Sequence, residues 1–161
     1  MSSSGKILSA DNFHPDASGM QIGIIVSAWN AEVTETMFRD AKEFLIRAGV
    51  LPCDLIRLDV PGSFELPLGA KFLINSRKVD AVICLGCIIQ GETRHFDFIC
   101  QAVSSGIMQL GLDYNIPVIF GVLTTETLQQ AIDRSGGKQG NKGKEAALTA
   151  IQMASIKRNM K

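Results

Sequence analysis

Ala81-Val82-Ile83-Cys84-Leu85-Gly86-Cys87-Ile88-Ile89-Gln90-Gly91-Glu92-Thr93-Arg94-His95-Phe96-Asp97 starts as an unbroken apolar run and ends in a polar, glycine-bearing segment. Residues 81–89 carry no charge and do not alternate. That pattern predicts a strand covered on both faces, as at the centre of a parallel sheet with helices above and below. In such a sheet, ligands bind at the carboxyl ends of the strands. There the sequence supplies a glycine, a carboxylate, a hydroxyl, a cation and one of only two histidines. The segment reads as a reaction site.

Outward from this strand, the same alternation of elements recurs. Ile22-Gly23-Ile24-Ile25-Val26 is a second continuous apolar strand. Val33, Met37, Ala41, Phe44, Leu45 and Ala48 follow at helical spacing, and Gly49 ends that helix. Residues 54–60 place Leu55, Ile56, Leu58 and Val60 as a strand, Pro61-Gly62-Ser63 turns it, and residues 64–76 form a helix with Pro67 tolerated in its first turns. From about Asp97 a long helix carries Ile99, Ala102, Val103, Gly106 and Leu110 on one face, and residues 117–123 form a fourth strand. Helices are expected over 125–134 and 142–158, separated by a glycine-rich stretch, 136–143, that reads as a flexible interhelix hinge. The fold class is therefore α/β: a three-layer α/β/α sandwich on a four-stranded parallel sheet, with a C-terminal helical pair. Residues 20–161 form one domain. Residues 1–19 are a polar arm, either mobile or pinned on a neighbouring subunit.

Composition narrows the functional classes. The 161 residues are 46% hydrophobic and 20% charged, with 16 Lys plus Arg against 16 Asp plus Glu. A packed core is expected, and no basic block points to nucleic acid or an anionic membrane surface. No apolar run approaches the roughly 18–20 residues that span a bilayer, and the polar N-terminus lacks a signal-peptide core, so a cytoplasmic location is expected. Cys84-Leu85-Gly86-Cys87 spells CxxC, but an offset of three sends the two side chains to opposite faces of a strand. A redox pair also needs an exposed helix N-terminus to stabilise its thiolate. Buried, reduced cysteines that bind no metal are the expectation.

Three strand ends carry the candidate chemistry. After the first comes Ser27-Ala28-Trp29-Asn30, with the only tryptophan; after the second, Val60-Pro61-Gly62-Ser63-Phe64-Glu65; after the third, the segment quoted above. An aromatic plane, a carboxylate beside backbone donors and a histidine suit a flat polar heterocycle with a hydroxylated tail. Trp29 reads equally as a stacking platform or as an ordinary half-buried residue, and Glu65 also suits a helix macrodipole. His95 titrates near neutrality in its ordinary state, with a pKa of about 6.5, and so suits proton transfer. Glu92 and Thr93 open a helix, where an anion is favoured; His14 in the arm is incidental. Residues 136–143 do not fit the Walker pattern, and they join two helices rather than a strand to a helix. Arg134 suits either a phosphate or its own helix C-terminus.

With these residues assembled, the chain closely resembles the lumazine synthase family. The blocks are Val60-Pro61-Gly62-Ser63-Phe64-Glu65-Leu66-Pro67, residues 86–100 around Gly91-Glu92-Thr93-Arg94-His95-Phe96-Asp97, Pro117-Val118-Ile119-Phe120-Gly121-Val122-Leu123-Thr124-Thr125, and Gly140-Asn141-Lys142-Gly143. The resemblance implies a flavodoxin-like fold and, without metal or organic cofactor, condensation of 5-amino-6-(D-ribitylamino)uracil with 3,4-dihydroxy-2-butanone 4-phosphate in riboflavin biosynthesis. It implies Trp29 stacked on the pyrimidine, and Ser63, Phe64 and Glu65 on the ribityl chain. Cys87, Ile88 and Ile89 would contact the ring largely through backbone, with Phe120 packing on it from an adjacent subunit. Glu92, Thr93 and Arg134 would meet the ketose phosphate, supported by Lys142 and Glu145, and His95 would transfer the proton. The implied assembly is a homopentamer with active sites at subunit interfaces, extending to an icosahedral shell where the 136–143 stretch carries no insertion. Riboflavin synthase is a candidate partner. A non-catalytic flavin-binding or cage-forming member of the fold is the alternative. An archaeal-type riboflavin synthase fits less well, because the 60–67 and 140–143 blocks favour lumazine synthase.

Overall fold

The run at 81–89 is the middle of the sheet, in a computed structural model that describes residues 15–160. The elements are β1 (Ile22–Ser27), α1 (Ala31–Arg47), β2 (Leu55–Val60), α2 (Leu66–Ser76), β3 (Ala81–Ile89), α3 (His95–Tyr114), β4 (Val118–Thr125), α4 (Leu128–Arg134), β5 (Ser135–Gly137), β6 (Gly140–Asn141) and α5 (Lys142–Asn159). The main sheet has the order β2-β1-β3-β4, with every pairing parallel. Each later strand of this sheet is reached by a helical crossover, as parallel pairing requires. Because β1 has β2 on one side and β3 on the other, the strand order reverses at β1. The crevice at the carboxyl ends of β1 and β3 is the switch point.

The pleat divides the core in two. Ile22, Ile24 and Val26 of β1 join Ala81, Ile83, Leu85 and Cys87 of β3 in one buried cluster, covered by α1, α4 and α5. Ile25, Val82 and Cys84 face the other cluster, covered by α2 and α3. Cys84 and Cys87 therefore lie on opposite faces of one strand, as the offset of three predicts. Burial pushes their thiols up to about 12 and about 11, respectively, with desolvation as the cause.

Helix α5 buries four alanines, Ala146, Ala147, Ala150 and Ala154, along with Leu148 and Ile151. Small residues let two helices approach closely, and α5 lies against α1. The closest approach is at Gly143, where an added Cβ would stand 2.0 Å from the Met37 carbonyl oxygen. No other residue fits there.

Several boundaries differ from the sequence expectation for local reasons. Residues 63–65 form a single 3-10 turn before α2 begins. The helix expected from residue 125 starts at Leu128 because Thr127 caps it: its hydroxyl accepts from the Gln130 N–H, while the Gln130 side chain accepts from the Thr127 N–H. The stretch 136–143 is not a flexible hinge. Ser135 pairs with Asn141, and Gly137 with Gly140, in a small antiparallel hairpin that leads directly into α5. Of the expected polar arm, residues 1–14, His14 included, lie outside the described residues. Ala17 and Met20 are buried in the core of their own chain, and the Ala17 N–H donates to the Ala48 carbonyl at 2.7 Å.

Candidate active site

The switch-point crevice is assembled by backbone first. The Ala28 N–H donates to the Val60 carbonyl at 2.8 Å and the Trp29 N–H to the Pro61 carbonyl at 3.2 Å, so the loops after β1 and β2 are joined. Asn30 then adopts left-handed backbone geometry, φ 58°, at the entrance of α1. Asparagine is among the few residues other than glycine that tolerate this region. Its side chain does not cap α1. It donates to the Cys87 carbonyl at 2.9 Å, which ties the β1 loop to β3. The buried Thr34 hydroxyl donates to the Ser27 carbonyl at 2.9 Å from the first turn of α1. Sequence reasoning passed over Asn30. The available signal was an asparagine between a strand end and a helix start.

Around this frame stand most of the residues singled out in the sequence. Trp29 is 72% exposed and Phe64 57%, so two aromatic rings project beside one polar crevice rather than into the core. The half-buried alternative for Trp29 does not apply. Ser63 is buried in the turn after β2. Its Oγ has no hydrogen-bond partner among the described residues. It fits there because position 86 is glycine: a Cβ at Gly86 would stand 2.6 Å from Ser63 Oγ and 2.8 Å from Leu66 Cδ1. Glu65 sits at the entrance of α2, with its carboxylate folded toward Gly62. Cys87, Ile88 and Ile89 are the last residues of β3, and burial decreases over them. Glu92 and Thr93 are exposed in the following loop, and His95 is the exposed first residue of α3. The His95 N–H donates to the Thr93 hydroxyl at 3.4 Å, and Arg94 pairs loosely with Asp97 at 3.9 Å.

A second group lies elsewhere in the same chain. Phe120 pairs in register with Cys84, and Thr125 with Ile89. Phe120 thus sits about 16 Å behind the end of the strand at the usual rise per residue. It lines a surface hollow of about 450 Å³ together with Lys142, Glu145, Ala146, Thr149 and Gln152. Arg134, the last residue of α4, makes a fork of two bonds to the Glu145 carboxylate, 3.0 and 3.1 Å, and also donates to the Gln139 carbonyl at 2.6 Å. Lys142 approaches the same carboxylate at 3.7 Å. Two cations on one carboxylate leave a net positive site that suits an incoming anion.

The chain therefore carries Trp29, Phe64, Glu65 and His95 in the loops at the switch point, and a separate cationic group with Phe120 on the outer side of β4. A family model described as 6,7-dimethyl-8-ribityllumazine synthase matches residues 19–158. The chain belongs to the 6,7-dimethyl-8-ribityllumazine synthase family. The relative from Cytophaga hutchinsonii bearing that name is 56% identical over 154 residues, covering 95% of this chain and 97% of the relative. Those from Parabacteroides distasonis and Flavobacterium johnsoniae, with the same name, are 52% identical over 145 residues and 53% over 146. They cover 90% and 91% of this chain, and 91% and 77% of the respective relatives. The match to the lumazine synthase family spans every element from β1 to α5, so both groups lie within it. No helix among the described residues is long and apolar enough to cross a membrane.

Proposed function

We propose that this protein condenses 5-amino-6-(D-ribitylamino)uracil with 3,4-dihydroxy-2-butanone 4-phosphate to give 6,7-dimethyl-8-ribityllumazine in riboflavin biosynthesis. The family membership supports the reaction. What supports the site assignment is that Trp29, Ser63, Glu65 and His95 follow the carboxyl ends of the neighbouring strands β1, β2 and β3, with the β1 loop tied to β3 by the bond from Asn30 to Cys87.

The flat pyrimidine lies against the exposed Trp29 ring, and the backbone of Cys87, Ile88 and Ile89 reads its polar edge. Ser63, Phe64 and Glu65 take the ribityl chain, and the unpartnered Ser63 hydroxyl finds a partner there. The substrate's amine attacks the ketone carbonyl, and water leaves as a Schiff base forms. Phosphate is eliminated, and the second nitrogen closes the ring with loss of a second water. His95 moves the protons these steps require. Glu92 and Thr93 hold the ketose phosphate, and Arg134, supported by Glu145 and Lys142, receives its phosphate. Both substrates are reactive by nature, so holding them in register accounts for much of the rate.

Arg134 and Phe120 serve a site on a neighbouring chain. Their separation from the switch point within one chain supports this reading, and so do the apolar side chains of Leu68, Phe72, Phe98, Met108 and Leu112 left exposed on α2 and α3. A cyclic homopentamer in the cytoplasm is the assembly proposed, with an icosahedral shell of pentamers as its extension and riboflavin synthase as a partner. Mixing the purified protein with the two substrates tests the function: lumazine absorbance should appear and phosphate should be released in equal amount. No absorbance change with both substrates present overturns the reading. Light scattering that gives a monomer mass overturns the shared site.

A further inference from the structure

Asn141 occupies the junction between the hairpin and α5, and all four of its side-chain hydrogen-bonding positions are used. Its Oδ1 accepts from the Gly143 and Lys144 N–H groups at 2.8 and 3.1 Å, which caps α5. Its Nδ2 donates to the Ser135 carbonyl at 2.9 Å and to Asp40 Oδ2 at 2.8 Å. Ser135 directly follows Arg134, and Glu145 lies in the first turn of the helix that Asn141 caps. The contacts form a closed ring: Arg134 to Glu145, Glu145 through α5 to Asn141, Asn141 to Ser135, and Ser135 back to Arg134. Asp40 is the point at which this ring is fastened to α1, across 101 residues of sequence. Its other oxygen, Oδ1, accepts from Arg39 Nε at 3.2 Å, so the carboxylate is itself held in place. The contact between Gly143 and Met37, one turn earlier in α1, presses the same junction onto the same helix.

We propose that Asp40 is a positioning residue for the phosphate-binding arginine, acting through Asn141. The inference rests on the reading of Arg134 given above. Without an acceptor at position 40, one N–H of Asn141 turns to solvent, and the hairpin loses its side-chain tether to α1. The guanidinium is then presented from a mobile arm. Binding of a phosphate-bearing ligand weakens, whereas the pyrimidine half, built on other elements, is untouched.

Steady-state kinetics of Asp40→Ala and Asp40→Asn test this. Asp40→Ala should raise KM for the ketose phosphate about 5-fold or more, the scale of one lost charge-assisted hydrogen bond. The inhibition constant of inorganic phosphate should rise in parallel, and KM for the pyrimidine should stay within about twofold, the scale of ordinary surface substitutions. Asp40→Asn keeps an acceptor and should return both phosphate-dependent constants to near the parent values. A general loss of structure would instead lower kcat and shift both KM values. Three outcomes overturn the proposal: an unchanged KM for the ketose phosphate in Asp40→Ala, equal rises for both substrates, or no rescue by Asp40→Asn. Arg134→Ala is measured alongside. If it leaves the ketose-phosphate constants unchanged, the reading of Arg134 has failed, and the role of Asp40 fails with it.

Discussion

The side-chain amide of Asn30 reaches across the switch point to the carbonyl of Cys87, 2.9 Å away, from a backbone in the left-handed region. Asn30→Ala removes the bond and leaves a Cβ, without the polar side chain that makes asparagine tolerable there, in a conformation that costs roughly 1–2 kcal/mol. Asn30→Gly removes the bond and the Cβ together, and so carries no left-handed strain. Both variants should raise KM for the ribitylaminouracil, and Asn30→Ala should also lower the thermal midpoint below that of Asn30→Gly. Equal midpoints and parent-like kinetics would show that the bridge does not shape the crevice.

Position 143 accepts no side chain. Gly143→Ala drives a Cβ into the Met37 carbonyl and forces α1 and α5 apart. A loss of about 3 kcal/mol, at the upper end for overpacking, is expected in denaturant unfolding. A parent-like midpoint would mean that the helix interface is looser than described.

His95→Ala should slow turnover by about 10–100-fold without abolishing it, since general acid–base help is one contribution beside the alignment of two reactive substrates. Substrate binding, followed by the quenching of Trp29 fluorescence, should persist. Complete loss of turnover with intact binding would make His95 indispensable and refute this view.

Arg134→Ala should raise KM for the ketose phosphate by about tenfold or more, as expected for loss of a charged hydrogen-bond partner. Glu145→Gln retains a side chain at the fork but only one carbonyl acceptor for the two donors of Arg134. Its effect should be smaller and in the same direction. Unchanged KM and kcat for that substrate in Arg134→Ala would refute the assignment.

Cys84 and Cys87 hold their protons more tightly in the folded state, at about 12 and about 11 against an ordinary value of 9.0. The folded protein therefore binds more protons than the unfolded one above pH 9. Stability is full below that value and falls as pH rises from about 9 toward 12. Thermal midpoints measured from pH 8 to pH 10.5 should decline, and less so in Cys84→Ala. At pH 8 a thiol reagent should modify the exposed Cys53 and spare Cys84 and Cys87 until denaturant is added. Rapid labelling of Cys87 in the native protein would contradict its burial.

The layered fold was legible wherever burial imposed a pattern. The apolar runs of β1 and β3, the 3.6-residue spacing of α1 and the opposite facing of Cys84 and Cys87 all follow from the period of the backbone and two covered faces. The hairpin at 135–141 was not legible. Four of the eight residues at 136–143 are glycines, which signal freedom in an isolated chain, and the order comes from Asn141 and Asp40, a pairing across 101 residues that no local pattern encodes. The same holds for Asn30: a single asparagine before a helix reads as an N-cap, and only the nearness of β3 redirects its amide. The site residues near strand ends were found by the topology rule. Phe120, Lys142 and Glu145 came from the family resemblance alone, and Arg134 stood as a phosphate ligand or a helix C-terminal cation until the resemblance favoured the first, because mid-strand and interhelix positions carry no such rule.

Under the proposed shared site, each chain in a ring of copies contributes to two different reaction centres. Damage to one place then spoils one centre and spares the other. Equal mixing of His95→Ala and Arg134→Ala chains, each impaired alone, would restore about a quarter of the intact centres by chance pairing in a cyclic assembly. Inheritance of two defective alleles could in this way yield a working enzyme.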